Sequence, residues 1–358
     1  MTPTVQSGRD IRAFLRRYWI LIGLVALVFV GAVVVKLVVY PAFSWNRDEV
    51  VYLWQIRALR ASQVLPTDGG APLFFQPWLT GLRAGHFFSQ YTPGWPAVLL
   101  AFDVVLGSPA LALAVSAAAA VLAIYTFTRE LTRDHVLALV AAGVMAASPI
   151  IAVQSGVYLG YLFTLAVGLF AGAALLHGVQ CQKRWPLVVA GVLLGWLFMT
   201  RPFDAVLWGA AYAVYLLVAR RGEWRRLVGA AGWLALGVVP LIVATLVYNR
   251  HVTGGFTRFP ITAADPIDTF GFGKRRIGTR WPASHYDVEN MFRGIGRNAL
   301  FLPEFLLGSY LGAGVGAAAL WFRRRDRTTI ALVALGVAFP IGYAFFWGIY
   351  LSSLTANL

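Results

Sequence analysis

The sequence has 358 residues, of which 59% are apolar and 13% charged, and its mean hydropathy is +0.70. These values exclude a water-soluble globular domain and predict an all-α polytopic membrane protein with a single transmembrane domain over residues 1–358. The net charge of +15 would favour nucleic acid as a partner of a soluble protein, but loop lysines and arginines of a membrane protein predict membrane lipids and no nucleic acid.

The apolar runs predict about nine membrane crossings, because a hydrocarbon core about 30 Å thick requires about 20 apolar residues per helix. They cover residues 18–40, 110–127, 136–153, 157–178, 187–200, 203–219, 227–248, 300–322 and 328–350. A cytoplasmic N-terminus places the short basic loops inside the cell, as the positive-inside rule requires. A tenth crossing would move the later basic loops to the outer side of the membrane. The apolar run 94–107 is therefore predicted to be a short helix that does not span the membrane.

This topology predicts a multi-pass protein of the plasma membrane whose long loops, 41–93 and 249–297, face outward. The first loop carries an acidic pair, Asp48 and Glu49, and the apolar spacing over residues 50–59 predicts an interfacial helix. Two carboxylates at the bilayer rim form a candidate reaction site, because a carboxylate can take the proton of an attacking hydroxyl. The structural alternative is that Asn46 caps this helix and Glu49 completes a capping-box-like pattern.

Several motifs follow one another along the chain. They are Arg47-Asp48-Glu49-x-x-Tyr52-Leu53-x-x-x-Arg57, Tyr91-Thr92-Pro93-Gly94-Trp95-Pro96, Ser148-Pro149, Thr200-Arg201-Pro202, Tyr248-Asn249 with Thr253-Gly254, and Gly271-Phe272-Gly273. By their order and their placement on one predicted membrane face, they resemble the GT-C glycosyltransferases related to protein O-mannosyltransferases and aminoarabinose transferases. The resemblance implies a GT-C-like bundle with an outer-face juxtamembrane helix in the first loop.

The resemblance also implies a reaction of the bacterial cell envelope. A sugar would move from a polyprenyl-phosphate donor to a hydroxyl acceptor on a protein, lipid or glycan, with inversion at the anomeric carbon. Asp48 matches the family's catalytic carboxylate, and Glu49 beside it is the second catalytic candidate. The departing polyprenyl phosphate keeps its negative charge, so it needs cationic stabilisation more than it needs an acid.

The candidates for phosphate or substrate binding all lie on the predicted outer side. They are Arg57, Tyr91, Arg201, Arg258, Arg275, Arg276 and His285. We rank Arg201 first among the arginines, because it ends an apolar helix where an unpaired charge is costly, and its structural alternative is a pair with Asp204. The alternative for the other arginines is attraction to anionic lipid headgroups, and for His285 it is a solvated loop position.

The chain departs from the family pattern in three places. Gln90 stands where a lysine is frequent, and Thr92 replaces the first proline of the Tyr-Pro-Pro element. The loop 154–158 has no carboxylate, although oligosaccharyltransferase-type relatives place metal-binding acids there, so we expect neither a metal nor another cofactor. The chain stops at Leu358, where relatives continue with further helices, which predicts either a truncated chain or a shortened member of the family.

Two other classes of protein remain open. A lipid or solute transporter should carry ionisable residues deep in its helices, and Lys36 and Asp103 are the candidates for this role. A non-catalytic membrane scaffold would tolerate the loss of both Asp48 and Glu49, whereas a transferase would not.

Overall fold

In the computed structural model, apolar helices carry most of the chain. The structure describes residues 4–44, 46–67, 69, 76–276 and 282–350. The helices are α1 Thr4–Val34, with a π-helical turn Val35–Val39, α2 Asp48–Arg60, α3 Gly94–Leu106, α4 Ala110–Thr132, α5 His135–Ala146, α6 Pro149–Gln154, α7 Tyr161–Cys181, α8 Arg184–Thr200, α9 Pro202–Ala219, α10 Trp224–Thr253, α11 Pro260–Ala264, α12 Val288–Leu307, α13 Tyr310–Phe322 and α14 Arg327–Ala344, followed by a 3-10 turn Trp347–Tyr350.

The two long loops each contain a small antiparallel hairpin. Strands β1 (Thr80–Arg83) and β2 (His86–Ser89) pair in the first loop, and β3 (Gly273–Arg275) and β4 (Ser284–Tyr286) pair in the second. The chain is helical, as predicted, but the sequence did not predict these two hairpins. Strands of three or four residues are too short to show a clear alternation of apolar and polar residues in the sequence.

Within the described ranges, five helices are long and apolar enough to cross a membrane. They are α1 (over Arg17–Val39), α4, α7, α9 and α10, and the bent pair of α12 and α13 counts as a sixth if it forms one span. The helices α3, α5, α8 and α14 are apolar but shorter. The chain is thus an integral membrane protein. An apolar helix lies at each predicted crossing, but the predicted number of nine crossings is not confirmed.

Two predicted crossings are broken rather than continuous. The predicted helix 300–322 consists of α12 and α13, which meet at 96°, and Gly308 between them has a φ of 68° that only glycine adopts readily. The predicted helix 136–153 is divided into α5 and α6 before Pro149. Proline has no backbone N–H and disfavours helical geometry in the residue before it, which accounts for this second break.

The buried side chains form three clusters. The largest lies between α4, α7, α8 and α9 and includes Leu194, Trp208 and Tyr212. A second cluster joins α1 to α4 and α5. The third lies beneath α2 and brings Tyr52 against Trp95 and Leu99 of α3 and the loop before α7. This third cluster fixes the position of the helix that begins at the acidic pair.

Helices α8 and α10 approach closely because glycines lie at their crossing. A Cβ added at Gly191 would collide with the backbone oxygen of Leu234, and one added at Gly237 would collide with that of Val188. We expect Gly191→Ala to lower the free energy of unfolding by about 1–3 kcal/mol, because backbone cannot yield as a flexible side chain can. Thermal unfolding of the detergent-purified protein would measure this. Gly229→Ala on α10, where a Cβ meets no atom within 4 Å, is the matched control and should not lower stability.

The two long loops meet at the same end of the helical bundle. Nη1 of Arg83 in the first hairpin donates a hydrogen bond to the backbone oxygen of His251 at 2.9 Å. Helix α11 packs against both β1 and β2. The loops therefore form one surface, and its position on the outer side of the membrane stays a prediction from the distribution of charge.

Candidate functional site

Asp48 lies in the first turn of α2 and is half-buried. Its N–H donates to Oδ1 of Asn46 at 2.9 Å, and its carboxylate accepts a hydrogen bond from the hydroxyl of Tyr91. Tyr91 stacks on Tyr52 with ring centroids 4.3 Å apart. Burial raises the pKa of Asp48, while the Tyr91 hydrogen bond and the charge of Arg201 act in the opposite direction.

The carboxylate of Glu49 is fully buried. Oε1 accepts hydrogen bonds from the N–H of Ser44, at 2.8 Å, and from its hydroxyl, and Oε2 accepts from the N–H of Tyr158 at 2.9 Å. Glu49 therefore joins the end of the first helix to the loop before α7. In a capping box, the Glu49 carboxylate would accept a hydrogen bond from the backbone N–H of Asn46. It bonds to Ser44 instead, so the capping-box alternative is wrong.

Lys36 supplies the positive charge that faces Glu49. Its Nζ donates to the backbone oxygen of Ala42 at 3.0 Å and lies 4.2 Å from the centre of the Tyr158 ring. Lys36 and Glu49 also interact electrostatically. Asp103, the other candidate for a charge deep in a helix, pairs with Arg60 at 2.7 Å. Both groups therefore have partners within the fold.

Arg201 ends α8 and holds several elements together. Its Nε bonds to Oδ2 of Asp204 at 2.6 Å, and its Nη2 donates to the hydroxyl of Tyr343 at 2.8 Å. Tyr343 in turn donates to Oδ1 of Asp204, and the guanidinium lies 4.7 Å from the centre of the Tyr161 ring. The ion pair between Arg201 and Asp204, which the sequence suggested as the structural role of Arg201, is present. Arg201 nevertheless also lies close enough to Asp48 for its charge to act on that carboxylate.

We expect Tyr343→Phe to weaken this arrangement without removing a charge. The change deletes one hydroxyl that bonds to both Arg201 and Asp204. A hydrogen bond to a charged group contributes about 1.5–3 kcal/mol, so the apparent melting temperature should fall. The control is Tyr310→Phe, whose hydroxyl bonds to a backbone oxygen in an exposed position. Its melting temperature should fall less, because the bond that is lost is neutral and exposed to solvent.

The other predicted cations do not gather around Asp48. Arg57 and Arg258 are exposed. The guanidinium of Arg275 donates to backbone oxygens of its own loop, at Phe270, Gly271, Phe272 and Lys274. Arg276 forms a two-bond pair with Asp265 at 2.6 and 3.3 Å. His285 is exposed, with its Nδ1 3.8 Å from Asp287. Arg275 and Arg276 thus shape the second loop.

Asp268 is a carboxylate near Asp48 that sequence reasoning missed. It is 3% exposed, and its Oδ1 accepts a hydrogen bond from Nε1 of Trp347 at 3.1 Å. Burial, together with the neighbouring charges of Asp265 and Asp48, raises the pKa of Asp268 to about 6, although the Trp347 hydrogen bond acts against this. A single aspartate in a loop carries no periodic or motif signal, so only the folded chain shows its position.

An apolar groove of about 480 Å³ runs along α2 on the face adjoining Asp48. It is lined by Arg47, Val50, Val51, Trp54, Gln76, Pro77, Trp78 and Thr80. On a helix of 3.6 residues per turn, positions 47, 50, 51 and 54 share one face, and positions 48, 52 and 55 share the next. Asp48 therefore lies at the boundary between this groove and the cluster around Arg201.

Within the part of the chain that the structure describes, no three side chains of His, Cys, Asp or Glu converge as metal ligands. The absence of a metal from the reaction stays a prediction. The site that the structure does define is a carboxylate, a guanidinium and several tyrosines at one end of a bundle of membrane helices.

No protein-family model matches this chain, and neither does any curated protein. Solved structures with similarity include the archaeal oligosaccharyltransferase AglB from Archaeoglobus fulgidus in complex with an inhibitory peptide and a dolichol-phosphate, at 14% identity and a TM-score of 0.42, over 94% of this chain and 38% of that chain. The Archaeoglobus fulgidus oligosaccharyltransferase in the apo form has 13% identity and a TM-score of 0.43, over 95% and 51%. The same enzyme tethered to an acceptor peptide has 13% identity and a TM-score of 0.39, over 96% and 50%. This chain thus spans about half or less of the length of these proteins.

Proposed function

We propose that the chain is an inverting glycosyltransferase that moves a sugar from a polyprenyl-phosphate donor to a hydroxyl acceptor on the extracytoplasmic face. The motifs along the chain support a family related to the protein O-mannosyltransferases and aminoarabinose transferases. The observation that carries the proposal is that Asp48 is half-buried at the start of α2, within reach of the Tyr91 hydroxyl and of the charge of Arg201.

This placement suits both halves of a transfer reaction. In the proposed step, the acceptor oxygen attacks the anomeric carbon while the Asp48 carboxylate takes the hydroxyl proton. The bond between the anomeric carbon and the phosphate oxygen breaks, and the polyprenyl phosphate leaves with the electron pair. Attack on the face opposite the leaving group inverts the anomeric carbon. The raised pKa of Asp48 makes its ionised form a stronger base than an ordinary aspartate.

Arg201 is the best-placed of the predicted arginines to stabilise the departing phosphate. Its Nε and Nη2 are engaged by Asp204 and Tyr343, so the guanidinium is held rigidly and Nη1 remains for a phosphate oxygen. A planar guanidinium that is already fixed in position before the substrate binds is an effective phosphate ligand. Tyr91 would orient the Asp48 carboxylate through its hydroxyl. Arg57, Arg258 and His285 are exposed. We propose that they attract charged substrates to the site but do not hold the phosphate.

We propose a positioning role for Glu49, since both of its oxygens are occupied by Ser44 and Tyr158. The groove beside α2 borders the helix face that carries Asp48, and we propose that the acceptor reaches Asp48 along it.

The test is a transfer reaction with the purified protein in lipid nanodiscs. A panel of radiolabelled polyprenyl-phosphate hexoses and pentoses would be offered, with a membrane extract as the source of acceptors. We expect label to move from at least one donor to an acceptor with release of polyprenyl phosphate, and the product linkage, determined by NMR, to be inverted. If no donor is consumed, or if the configuration is retained, the proposed function is wrong.

A further inference from the structure

The lining of the groove beside α2 suits a hydrocarbon chain. The groove has a volume of about 480 Å³, and its apolar lining consists of Val50, Val51, Trp54, Pro77 and Trp78. Val50 is 50% exposed, and both tryptophans are half-buried. These side chains are therefore open to an occupant and are not filled in by the protein's own core. An exposed apolar surface of this kind is typical of a binding site.

The two uncharged polar side chains of the groove are already bonded within their own segment. Nε2 of Gln76 donates to the backbone oxygen of Thr80 at 2.6 Å, and the hydroxyl of Thr80 donates to the backbone oxygen of Pro77 at 2.6 Å. A sugar stacked on the tryptophans would leave most of its hydroxyls without partners, and a peptide would do the same with its backbone groups. Both losses cost free energy. The lining therefore favours a hydrocarbon chain over a glycan or a peptide.

Arg47 is the charged side chain of the groove lining. It is exposed, and its guanidinium lies 5.7 Å from the centre of the Trp78 ring. Arg47 takes part in no salt bridge with the residues that the structure describes. An arginine in this position is complementary to an anionic group of the occupant. A phosphate fits best, because its oxygens can accept two parallel hydrogen bonds from the planar guanidinium.

We propose that the acceptor bound in this groove is an anionic phospholipid that carries a hydroxyl on its headgroup. The inference rests on the proposed function and names the class of acceptor for the same site. An acyl chain lies along Trp54 and Trp78, the lipid phosphate bonds to Arg47, and the headgroup hydroxyl reaches Asp48. Because α2 has the pattern of an interfacial helix, such a lipid enters the groove directly from the bilayer.

The order of residues along α2 matches the order of groups in such a lipid. Arg47 and Asp48 are adjacent, with Cα atoms about 3.8 Å apart, whereas Trp54 lies about 10 Å further along the helix. In a phospholipid, only a few bonds separate the headgroup hydroxyl from the phosphate, and the acyl chains extend away from both. A phosphate at Arg47 therefore brings the hydroxyl to the start of α2 and leaves a chain for the apolar lining.

The transfer step is then complete in its atoms and electrons. The headgroup oxygen forms a bond to the anomeric carbon, and its proton passes to the Asp48 carboxylate. The bond between the anomeric carbon and the polyprenyl phosphate breaks, and the phosphate leaves with the electron pair. The product is a glycosylated phospholipid that remains in the membrane.

Binding of the lipid can be measured without turnover. The protein would be placed in phosphatidylcholine nanodiscs that contain a small amount of phosphatidylglycerol with a photoreactive diazirine on one acyl chain. We expect crosslinks at Trp54 and Trp78, located by mass spectrometry of the peptides. Unlabelled phosphatidylglycerol or phosphatidylserine should remove these crosslinks, because both lipids are anionic. The same diazirine on phosphatidylcholine should give far fewer crosslinks at these positions.

Arg47→Gln tests the role of the charge with little change in the size of the side chain. The diazirine phosphatidylglycerol should bind this variant about tenfold more weakly, as expected for the loss of a hydrogen bond between charged groups. Arg60→Gln is the matched control, because it makes the same change at an exposed arginine of α2 that pairs with Asp103. It should bind the lipid as the wild type does.

Transfer would be followed in nanodiscs of the same kind with the radiolabelled polyprenyl-phosphate sugar that the wild type consumes. We expect label to enter a glycolipid when phosphatidylglycerol or phosphatidylinositol is present. Label should not enter phosphatidylserine, which binds but has no headgroup hydroxyl. Arg47→Gln should raise the KM for the phospholipid about tenfold and leave the KM for the donor unchanged.

The outcomes separate this inference from the proposed function. If label moves to a protein or a glycan of a membrane extract but to neither phospholipid, the proposed function stands and this inference is wrong. Equal crosslinking by the phosphatidylcholine and phosphatidylglycerol probes would mean that ordinary bilayer lipid occupies the groove, which also overturns it. If the wild type consumes no donor, the proposed function fails, whereas the crosslinks still decide whether the groove binds an anionic lipid.

Discussion

Replacing Asp48 with asparagine is expected to lower the rate of sugar transfer by about 10²- to 10⁴-fold, the range that general-base catalysis contributes. The amide keeps the size of the side chain but cannot accept the hydroxyl proton. Its oxygen can still accept the Tyr91 hydrogen bond, so the protein should remain folded and the affinity for the donor should change little. Initial rates with a labelled polyprenyl-phosphate sugar, together with donor binding by the same variant, would separate catalysis from binding.

Asp103→Asn is the matched control for this experiment. It makes the same chemical change at an acidic residue of α3 whose partner is the exposed Arg60, and it should retain the wild-type rate. Equal rates for wild type and Asp48→Asn would show that Asp48 is not the base, and a scaffold function would then account better for the acidic pair.

Replacing Glu49 with glutamine should destabilise the fold. The change leaves Lys36 buried at 6% exposure without its opposing charge and weakens the bonds to Ser44 and Tyr158. A hydrogen bond to a charged group contributes about 1.5–3 kcal/mol. The apparent melting temperature in detergent should fall by many degrees, and the protein that remains folded should still transfer sugar if Glu49 only positions the helix.

The control is Glu304→Gln, the same change at an exposed glutamate of α12, which should leave the melting temperature within a degree or two of the wild type because a surface charge contributes little. A Glu49 variant that is as stable as the wild type but inactive would reverse our assignment and make Glu49 a catalytic residue.

The two acidic residues show how far sequence reasoning reaches at this site. The pattern after the first helix identified Asp48 and Glu49 together, because both are carboxylates at the start of an interfacial helix. Adjacent residues on a helix point about 100° apart, so Asp48 reaches the hydroxyl of Tyr91 and Glu49 reaches the buried N–H of Tyr158. Their division into different roles therefore depends on what packs against each face of α2.

Arg201 shows the same limit. Its place at the end of an apolar helix singled it out, and the neighbouring Asp204 was recognised as its partner. Tyr343, which bonds to both, lies 142 residues from Arg201 in the chain, and Tyr161 approaches from another segment. Neither has a local signal, because a contact across a helical bundle leaves no periodicity in the sequence.

The sequence by itself determined the class of the protein and the places where apolar helices form, because a hydrocarbon environment requires long runs of apolar residues, and these are visible without a structure. It also determined which loops carry the polar chemistry. Only the tertiary structure decided where helices break, which arginines bond within their own loops, and which carboxylates pair with a cation. These depend on distances between residues far apart in the chain, and such distances exist only once the helices have packed together.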